Sequence, residues 1–228
     1  MLGAEDAAVI REAVDTGWVV FHSDEVAAGD KRAMAAIARS LGKESDRDGG
    51  ALWPITPRAR TGTFSITAQE TGLHTDAQYH DQPEPRFLLF CVVPAACGGG
   101  ANRLLRASDV IRRLNDAATL AEADTERLRT EAWSWEVPEI FQTAPMHNSH
   151  AVLGGGDTVR WRHDNLRPGG PEQARTAQRF RDYVETHPAV VDVRLDSGDV
   201  LYCDNKRVLH GRTAFQDPRR LLYRTRLW

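Results

Sequence analysis

The arrangement of the strand-like segments constrains the fold of this chain more than any other feature of its sequence. These segments are rich in β-branched, aromatic and aliphatic residues, and Gly, Pro and Asp residues separate them. They cover residues 18–22, 86–93, 132–137, 158–163, 189–195, 199–204 and 221–228. Because they do not alternate regularly with helical segments, a parallel sheet of βαβ units is not indicated. The pattern predicts a mainly β fold with flanking helices, in which antiparallel strands close into a double-stranded β-helix, a cupin-like jelly roll.

Four further segments have the apolar periodicity of amphipathic helices. They cover residues 5–16, 31–41, 108–130 and 171–187. Gly42 follows the second segment, Ser108 is the expected cap of the third, and Pro171 lies in the first turn of the fourth. These helices are expected to frame the strands.

Length and composition indicate one domain. The chain has 228 residues, of which 41% are hydrophobic, and all-β barrels of this length commonly fold around a single core. We therefore expect one domain over residues 1–228.

The charge balance points to a small-molecule partner. Lys and Arg number 29 against 32 Asp and Glu, which gives a net charge of -3. Such a chain has no large basic surface for nucleic-acid phosphates. The acidic N-terminus does not resemble a signal peptide, and no apolar run reaches the length of a membrane span. We expect a cytoplasmic protein that binds a small-molecule substrate and neither nucleic acid nor membrane.

Two histidines and one aspartate are the candidate metal ligands. His74 and Asp76 are separated by one residue, so on an extended segment both side chains lie on the same face. A His-x-Asp triplet by itself is also typical of an ordinary polar loop. His210 follows a strand near the C-terminus and offers a third ligand. Two imidazoles and one carboxylate leave three positions open on octahedral iron(II), as oxygen chemistry requires.

The C-terminal segment is rich in arginine. Period-two alternation along its last strand puts Arg224 and Arg226 on one face, so at least one of them is expected to point into the barrel. A buried guanidinium near a metal would suit a dicarboxylate cosubstrate, because its planar fork matches a carboxylate. The alternative is that Arg219, Arg220 and Arg226 are ordinary solvated charges; Arg224 fits that alternative less well.

Three stretches carry a family resemblance over residues 17–228. The first is LHTDAQYHDQPEPRFLLF, a His-x-acid triplet followed by an aromatic-His pair and a Pro-containing turn into a strand. The second is CGGGANRLLRASDVIRRL, a double-Gly turn with a short strand and a helix. The third is GDVLYCDNKRVLHGRTAF with the later RRLLYR, a strand, an Asp-Asn turn, a distal His and a distal Arg. Together they resemble the taurine dioxygenase (TauD/TfdA) superfamily, and specifically its clavaminate synthase-like branch.

The resemblance implies the cofactors and the reaction. Iron(II), 2-oxoglutarate as cosubstrate and O2 are expected, with His74, Asp76 and His210 as metal ligands. The enzyme would oxidise an unactivated C–H bond of a small molecule, such as an amino acid or an intermediate of antibiotic or other specialised metabolism. Asp76 takes the position that halogenating relatives leave open for chloride, which favours hydroxylation over halogenation. Desaturation and cyclisation stay open.

The resemblance also implies the cosubstrate contacts. In this branch an Arg after the distal His binds the far carboxylate of 2-oxoglutarate, and in this chain it falls on Arg224. Many members have a Thr after the double-Gly turn that contacts the cosubstrate, where this chain has Ala101 or Asn102. Arg224, Asn102 and Arg220 are the predicted cosubstrate-binding residues.

Substrate contacts are predicted at Asp164, Arg162 and Gln78. In the resembling branch an acidic residue near Asp164 often receives an amino or basic group of the substrate, although Asp164 also suits an exposed turn. Arg162 precedes it, and Gln78 follows the predicted ligands closely. Either side chain would suit the polar groups of an amino acid.

Two functions of other classes also fit the pattern. The same three ligands would serve a cupin-type iron dioxygenase that needs no 2-oxoglutarate, with a purely structural Arg-rich strand. A jelly roll without catalytic activity would be a binding protein.

Overall fold

The computed structural model describes residues 13, 16–47, 51–57, 67–116, 120–137 and 149–228. The strands are β1 (Trp18–His22), β2 (Trp53–Ile55), β3 (Thr71–His74), β4 (Arg86–Val93), β5 (Asn102–Arg106), β6 (Trp133–Trp135), β7 (Ser149–His150), β8 (Leu166–Arg167), β9 (Val191–Val193), β10 (Asp199–Asp204), β11 (Val208–Arg212) and β12 (Leu221–Leu227). The helices are α1 (Asp24–Ala27), α2 (Lys31–Leu41), α3 (Ala107–Asp116), α4 (Glu122–Thr130) and α5 (Pro171–Glu185).

Two antiparallel sheets form the body of the fold. The larger has the strand order β1-β10-β4-β12-β2, and the smaller has the order β3-β11-β5-β9. A third sheet, β7-β6-β8, is also antiparallel. Neighbouring strands are distant in sequence, as expected for a jelly roll. The predicted fold class, mainly β with flanking helices, is confirmed.

The core between the two main sheets is built from their inward-facing residues. Phe87 and Leu89 of β4 pack in one buried cluster with Leu104 of β5, Val208 of β11 and Leu222 of β12. The uniformly apolar run of β4 is explained by its place near the centre of the larger sheet, between β10 and β12. This core fixes the two sheets relative to each other, which matters because the candidate site takes residues from both.

The helices follow their sequence signals where local chemistry is strong. The Asp30 side chain caps α2 by accepting hydrogen bonds from Arg32 and Ala33, and α2 covers the predicted residues 31–41. Pro171 opens α5, which ends at Glu185. The helix predicted for residues 5–16 lies largely outside the described residues. No described helix has the length and apolar character needed to cross a membrane.

The helix predicted for residues 108–130 was wrong in its extent, because two helices occupy this segment. Ala121 is extended, with φ of -59° and ψ of 144°, so α4 starts anew after it. Asp124 of α4 accepts hydrogen bonds from Thr176 and Arg179 of α5. The tertiary contact with α5 therefore sets the direction of α4, against the continuous helical periodicity.

The strand predicted for residues 158–163 was also wrong. Val159 forms only an isolated bridge with Leu153, and the backbone N–H of Arg160 donates to Val152. Trp161 and Thr75 exchange hydrogen bonds instead: Thr75 N–H donates to the Trp161 carbonyl at 2.7 Å, and Trp161 N–H donates to Thr75 Oγ1 at 3.0 Å. The segment is thereby tied to the end of β3 rather than to a sheet.

Several strands gave no clear signal in the sequence. β2, β3, β7 and β8 have four residues or fewer, and in β5 and β11 charged residues interrupt the apolar pattern. Pairing between distant segments stabilises such short strands, and local sequence does not record it.

Candidate metal centre and adjoining cavities

Two neighbouring strands of the smaller sheet bring His74 and His210 together. The two residues are direct partners in the pairing of β3 with β11, and their rings lie 4.4 Å apart between centroids. Nδ1 of His74 is 2.8 Å from the carbonyl oxygen of Gly72. Because only a protonated Nδ1 can donate to that carbonyl, Nε2 of His74 keeps its lone pair available for a metal.

Asp76 completes the cluster. Its Oδ1 is 3.7 Å from Nε2 of His74 and 3.9 Å from Nε2 of His210. The three residues each offer one ligand atom, and these atoms all lie within 4.8 Å of one another. The residues predicted as ligands from distant parts of the chain therefore converge on one position.

The protonation states suit metal binding. Burial raises the pKa of the Asp76 carboxyl, but the charges of Arg224 and Arg226 outweigh it and hold this pKa well below its ordinary value. Burial and the neighbouring His74 lower the pKa of His210 well below its ordinary value. An ionised carboxylate, as at Asp76, and a neutral imidazole, as at His210, are the forms that bind a metal. The cluster therefore fits a divalent transition metal such as iron(II).

The backbone of the Asp76 loop is held by groups that the sequence did not single out. The Asn205 side chain accepts a hydrogen bond from Asp76 N–H at 2.7 Å and donates to the carbonyls of Asp76 and Glu84 at 3.0 and 2.9 Å. Arg160 donates to the carbonyls of residues 78, 80 and 81. Ala77 between them has a positive φ of 55°. For Asn205 the Asp-Asn turn was an available signal, whereas Arg160 had none.

Two arginines of β12 reach the same carboxylate. Nη1 of Arg224 lies 2.7 Å and Nε of Arg226 lies 3.3 Å from Oδ2 of Asp76, and both arginines are buried. The inward orientation expected for Arg224 is observed. The alternative of a solvated charge is wrong for Arg226 and Arg220, which are buried, whereas the side chain of Arg219 is 74% exposed. The alternation along β12, which puts Arg226 on the same face as Arg224, was the sequence signal that Arg226 also points to Asp76.

A small cavity of about 140 Å³ contains Arg220 and Asn102. Nη2 of Arg220 donates to the Gly100 carbonyl at 3.3 Å, whereas its Nη1 is buried and has no hydrogen-bond partner among the residues that the structure describes. The amide of Asn102 donates to the Val193 carbonyl at 3.4 Å. A buried guanidinium with an unsatisfied N–H at the wall of a cavity is suited to receive an anion.

The glycine turn before β5 shapes this cavity. Gly98 and Gly100 have positive φ angles of 79° and 78°, which glycine adopts without strain. A Cβ at Gly99 would lie 2.2 Å from the carbonyl oxygen of Ala214. The three glycines are thus needed for the turn to pass close to the segment that leads to β12.

A larger cavity of about 610 Å³ opens beside His74. Arg162 and Asp164 lie in its wall and form a two-pronged ion pair, with N–O distances of 2.7 and 2.9 Å. Burial raises the pKa of Asp164, but the hydrogen bond and charge of Arg162 outweigh it, so the net shift is downward. The wall also contains charged residues that the sequence did not indicate, namely Glu70, Arg103, Arg181 and Glu185.

Gln78 differs from the other predicted substrate contacts. Its side chain is fully buried, and its amide donates to Asn165 at 2.9 Å. It is not among the residues that line the cavity beside His74. Its role toward substrate stays a prediction, while its observed contact supports the turn next to Asp164.

A double antiparallel sheet that gathers two imidazoles and a carboxylate around one point defines a jelly-roll protein of the mononuclear metal class. The chain belongs to the family described as Taurine catabolism dioxygenase TauD, TfdA family, which it matches over residues 1–226. The superfamily inferred from the sequence is confirmed.

This chain matches only part of the length of its curated relatives. It is 27% identical to a gamma-butyrobetaine dioxygenase of Pseudomonas sp. (strain AK-1) in an alignment of 209 positions that covers 82% of this chain and 50% of that protein. It is 24% identical to the dioxygenase str8 of Strobilurus tenacellus in an alignment of 181 positions that covers 74% of this chain and 40% of that protein. The matched part thus spans half or less of these relatives.

Solved structures share the fold. An asparagine oxygenase bound to Fe(II), 3-hydroxyasparagine and succinate superposes with a TM-score of 0.77 at 18% identity, covering 97% of this chain and 77% of that one. The non-heme iron oxygenase OrfP with Fe and alpha-ketoglutaric acid superposes with a TM-score of 0.71 at 18% identity, covering 99% and 79%. At this identity the likeness concerns the fold.

Proposed function

We propose that this protein is an iron(II)- and 2-oxoglutarate-dependent dioxygenase that hydroxylates an unactivated C–H bond of a small molecule. The observation that carries the proposal is the convergence of His74, Asp76 and His210 within 4.8 Å beside buried arginines. Membership of the TauD/TfdA family supports it, as do the iron and alpha-ketoglutaric acid bound by OrfP.

The metal would be held by Nε2 of His74, Oδ1 of Asp76 and the imidazole of His210. When bound, ferrous iron with 2-oxoglutarate and O2 supplies the oxidising power to break a C–H bond, and 2-oxoglutarate is converted to succinate and CO2. The chain provides three ligands, which leave three positions for the cosubstrate and O2. The Asn205 and Arg160 contacts hold the Asp76 loop in the geometry that this requires.

The two ends of 2-oxoglutarate call for different cationic groups. Arg224 contacts a metal-ligand carboxylate, so its charge lies next to the end of the cosubstrate that would chelate the metal. Arg220 has a buried, unsatisfied N–H in a separate cavity with Asn102, which suits the far carboxylate. We therefore assign the far carboxylate to Arg220 with Asn102, and the chelating end to Arg224. This division revises the role that the family resemblance gave Arg224.

The substrate is proposed to be a small zwitterion such as an amino acid. The cavity beside His74 is walled by three arginines and three acidic residues, so its lining offers partners of both signs to a zwitterion, whereas an apolar substrate would displace the water around these charges and offer them nothing in return. Asp164 would receive the ammonium group of the substrate and Arg162 its carboxylate, because these side chains carry opposite charges and lie next to each other as an ion pair. The amino-acid products bound by asparagine oxygenase and OrfP support this class. A single domain over residues 1–228 and a cytoplasmic location stay predictions.

Anaerobic spectroscopy tests the proposal. Adding iron(II) and 2-oxoglutarate should produce a weak visible charge-transfer band, and air should then yield succinate. His210→Ala should abolish both, because two remaining ligands hold iron poorly. Iron binding without the band or succinate would instead indicate a dioxygenase that needs no 2-oxoglutarate. Absence of iron binding would reject the metal site and favour a binding protein.

A further inference from the structure

The two oxygens of the Asp76 carboxylate have different neighbours. Oδ1 faces Nε2 of His74 at 3.7 Å and Nε2 of His210 at 3.9 Å. Oδ2 accepts hydrogen bonds from Nη1 of Arg224 at 2.7 Å and from Nε of Arg226 at 3.3 Å. One oxygen therefore points to the candidate metal position, and the other points to two guanidinium groups.

The two arginines differ in their surroundings. Arg224 interacts electrostatically with Arg162, which lines the cavity beside the candidate metal position. Arg226 interacts with Glu84, a carboxylate that is fully buried. Arg226 therefore has two buried carboxylates among its charged neighbours, Asp76 at hydrogen-bond distance and Glu84 within electrostatic range. The charge of Arg224 acts instead on the candidate ligand His210 and on Arg162 of the cavity wall.

This difference determines which arginine can exchange its hydrogen bond to Asp76 for one to a ligand. An anionic ligand that enters near the metal competes with Asp76 for Arg224, because a guanidinium satisfies whichever carboxylate it contacts best. Asp76 would then lose one of its two cations. Arg226 keeps its hydrogen bond to Oδ2 of Asp76, so the buried Asp76 carboxylate keeps a compensating charge.

We infer that Arg226 is a positioning residue that keeps Asp76 a one-oxygen metal ligand when Arg224 engages the cosubstrate. A carboxylate can bind a metal through one oxygen or both, and a guanidinium hydrogen-bonded to Oδ2 leaves only Oδ1 for the metal. Binding through both oxygens would occupy a position that the reaction needs for 2-oxoglutarate or O2. The part of this inference that concerns the cosubstrate rests on the proposed function.

A double-mutant cycle with cobalt(II) tests the role of Arg226. The proteins are the wild type, Arg224→Met, Arg226→Gln and the double variant, with Arg219→Gln as control because Arg219 is exposed on the same segment. The d–d absorption of bound cobalt(II) reports coordination number and geometry, and it is recorded without and then with 2-oxoglutarate. Circular dichroism verifies folding.

Without cosubstrate, each single variant should keep the wild-type cobalt spectrum, because one guanidinium remains on Oδ2. The double variant should give a changed spectrum as Asp76 binds through both oxygens. With 2-oxoglutarate, Arg226→Gln should change the spectrum and weaken cosubstrate binding by about ten-fold or more. Arg226→Lys, which keeps the buried charge, should restore part of that affinity and serves as the test if the Gln variant does not fold.

A wild-type spectrum in the metal-only double variant would overturn the inference, as would unchanged 2-oxoglutarate binding by Arg226→Gln. Failure of the proposed function gives a different result, since the wild type itself would then bind no 2-oxoglutarate. In that case the cobalt(II) spectra recorded without 2-oxoglutarate still show whether Arg226 helps to keep Asp76 a one-oxygen ligand.

Discussion

The Asn205 side chain is bonded to both backbone polar groups of Asp76, accepting from its N–H at 2.7 Å and donating to its carbonyl at 3.0 Å. Asn205 lies at the turn between β10 and β11, and β11 carries His210. The amide thus links the turn before one candidate ligand to the backbone of another. This contact gives the site a rigidity that side-chain ligands alone would not supply.

Replacing Asn205 should therefore weaken metal binding. Asn205→Asp keeps the acceptor for Asp76 N–H but loses both donated hydrogen bonds, so two buried carbonyls lose a partner. We expect metal affinity to fall about ten-fold or more, measured by calorimetric titration with Mn²⁺ or Co²⁺. Asn165→Ala is the control, because this Asn bonds to Gln78 and to the Glu136 carbonyl. Equal losses in both variants would argue against a specific role for Asn205.

Ala77 should tolerate glycine but not a β-branched residue. Its φ of 55° lies in the left-handed region, where a branched Cβ clashes with the backbone. Ala77→Val is expected to lower the free energy of unfolding by about 2 kcal/mol or more, while Ala77→Gly stays within about 1 kcal/mol of the wild type. Urea unfolding measures both. A Val variant as stable as the Gly variant would show that the loop relaxes at no cost.

Arg220 and Arg224 should be separable by the length of the 2-oxo acid. Arg220→Ala is expected to weaken 2-oxoglutarate binding by about ten-fold to a hundred-fold, the effect of losing a charge-assisted contact. It should leave the affinity for pyruvate unchanged, because pyruvate has no far carboxylate. Arg224→Ala should lower the affinity for both 2-oxo acids. Binding is measured anaerobically from the charge-transfer band, with Arg219→Ala as the exposed control, and the reverse pattern would return the far carboxylate to Arg224.

Glu84 should make stability depend on acid pH. Burial raises the pKa of its carboxyl, but hydrogen bonds from Arg47 and Ser45 and the charge of Arg226 outweigh it, so the folded pKa lies below its ordinary value of 4.5. A depressed folded pKa stabilises the protein above the unfolded value, and this contribution disappears as pH falls through the folded value. Urea unfolding from about pH 6 to about pH 3 should show a steeper loss for the wild type than for Glu84→Gln. Parallel profiles would contradict this.

Asp164 should act on substrate and not on cosubstrate. A mass-spectrometric screen of amino acids for the gain of one oxygen identifies the substrate. Asp164→Asn should then raise its KM about ten-fold or more, since a charge-assisted hydrogen bond is lost, while succinate formation without substrate persists. A variant that loses 2-oxoglutarate binding as well would place Asp164 with the cosubstrate instead.

The sequence by itself determined the mainly β class, helix α2 with Gly42 at its end, and the identity of the three candidate ligands. These depend on local signals: apolar runs, capping residues, and a His-x-Asp triplet with a later His in a recognisable context. Arg220 and Asn102 were also among the residues predicted to bind the cosubstrate, although the sequence did not indicate the cavity that they share.

Only the tertiary structure decided which charges meet. Arg226 is buried against Asp76 because the sheet that contains β12 packs on the sheet in which β3 pairs with β11. The contacts of Asn205 with the Asp76 backbone and the ion pair of Arg162 with Asp164 depend on the turn before β11 and on the loop tied to β3. The break between α3 and α4 depends likewise on contacts with α5. Such contacts join residues far apart in the chain, and their free energy comes from burial and pairing that no local segment contains.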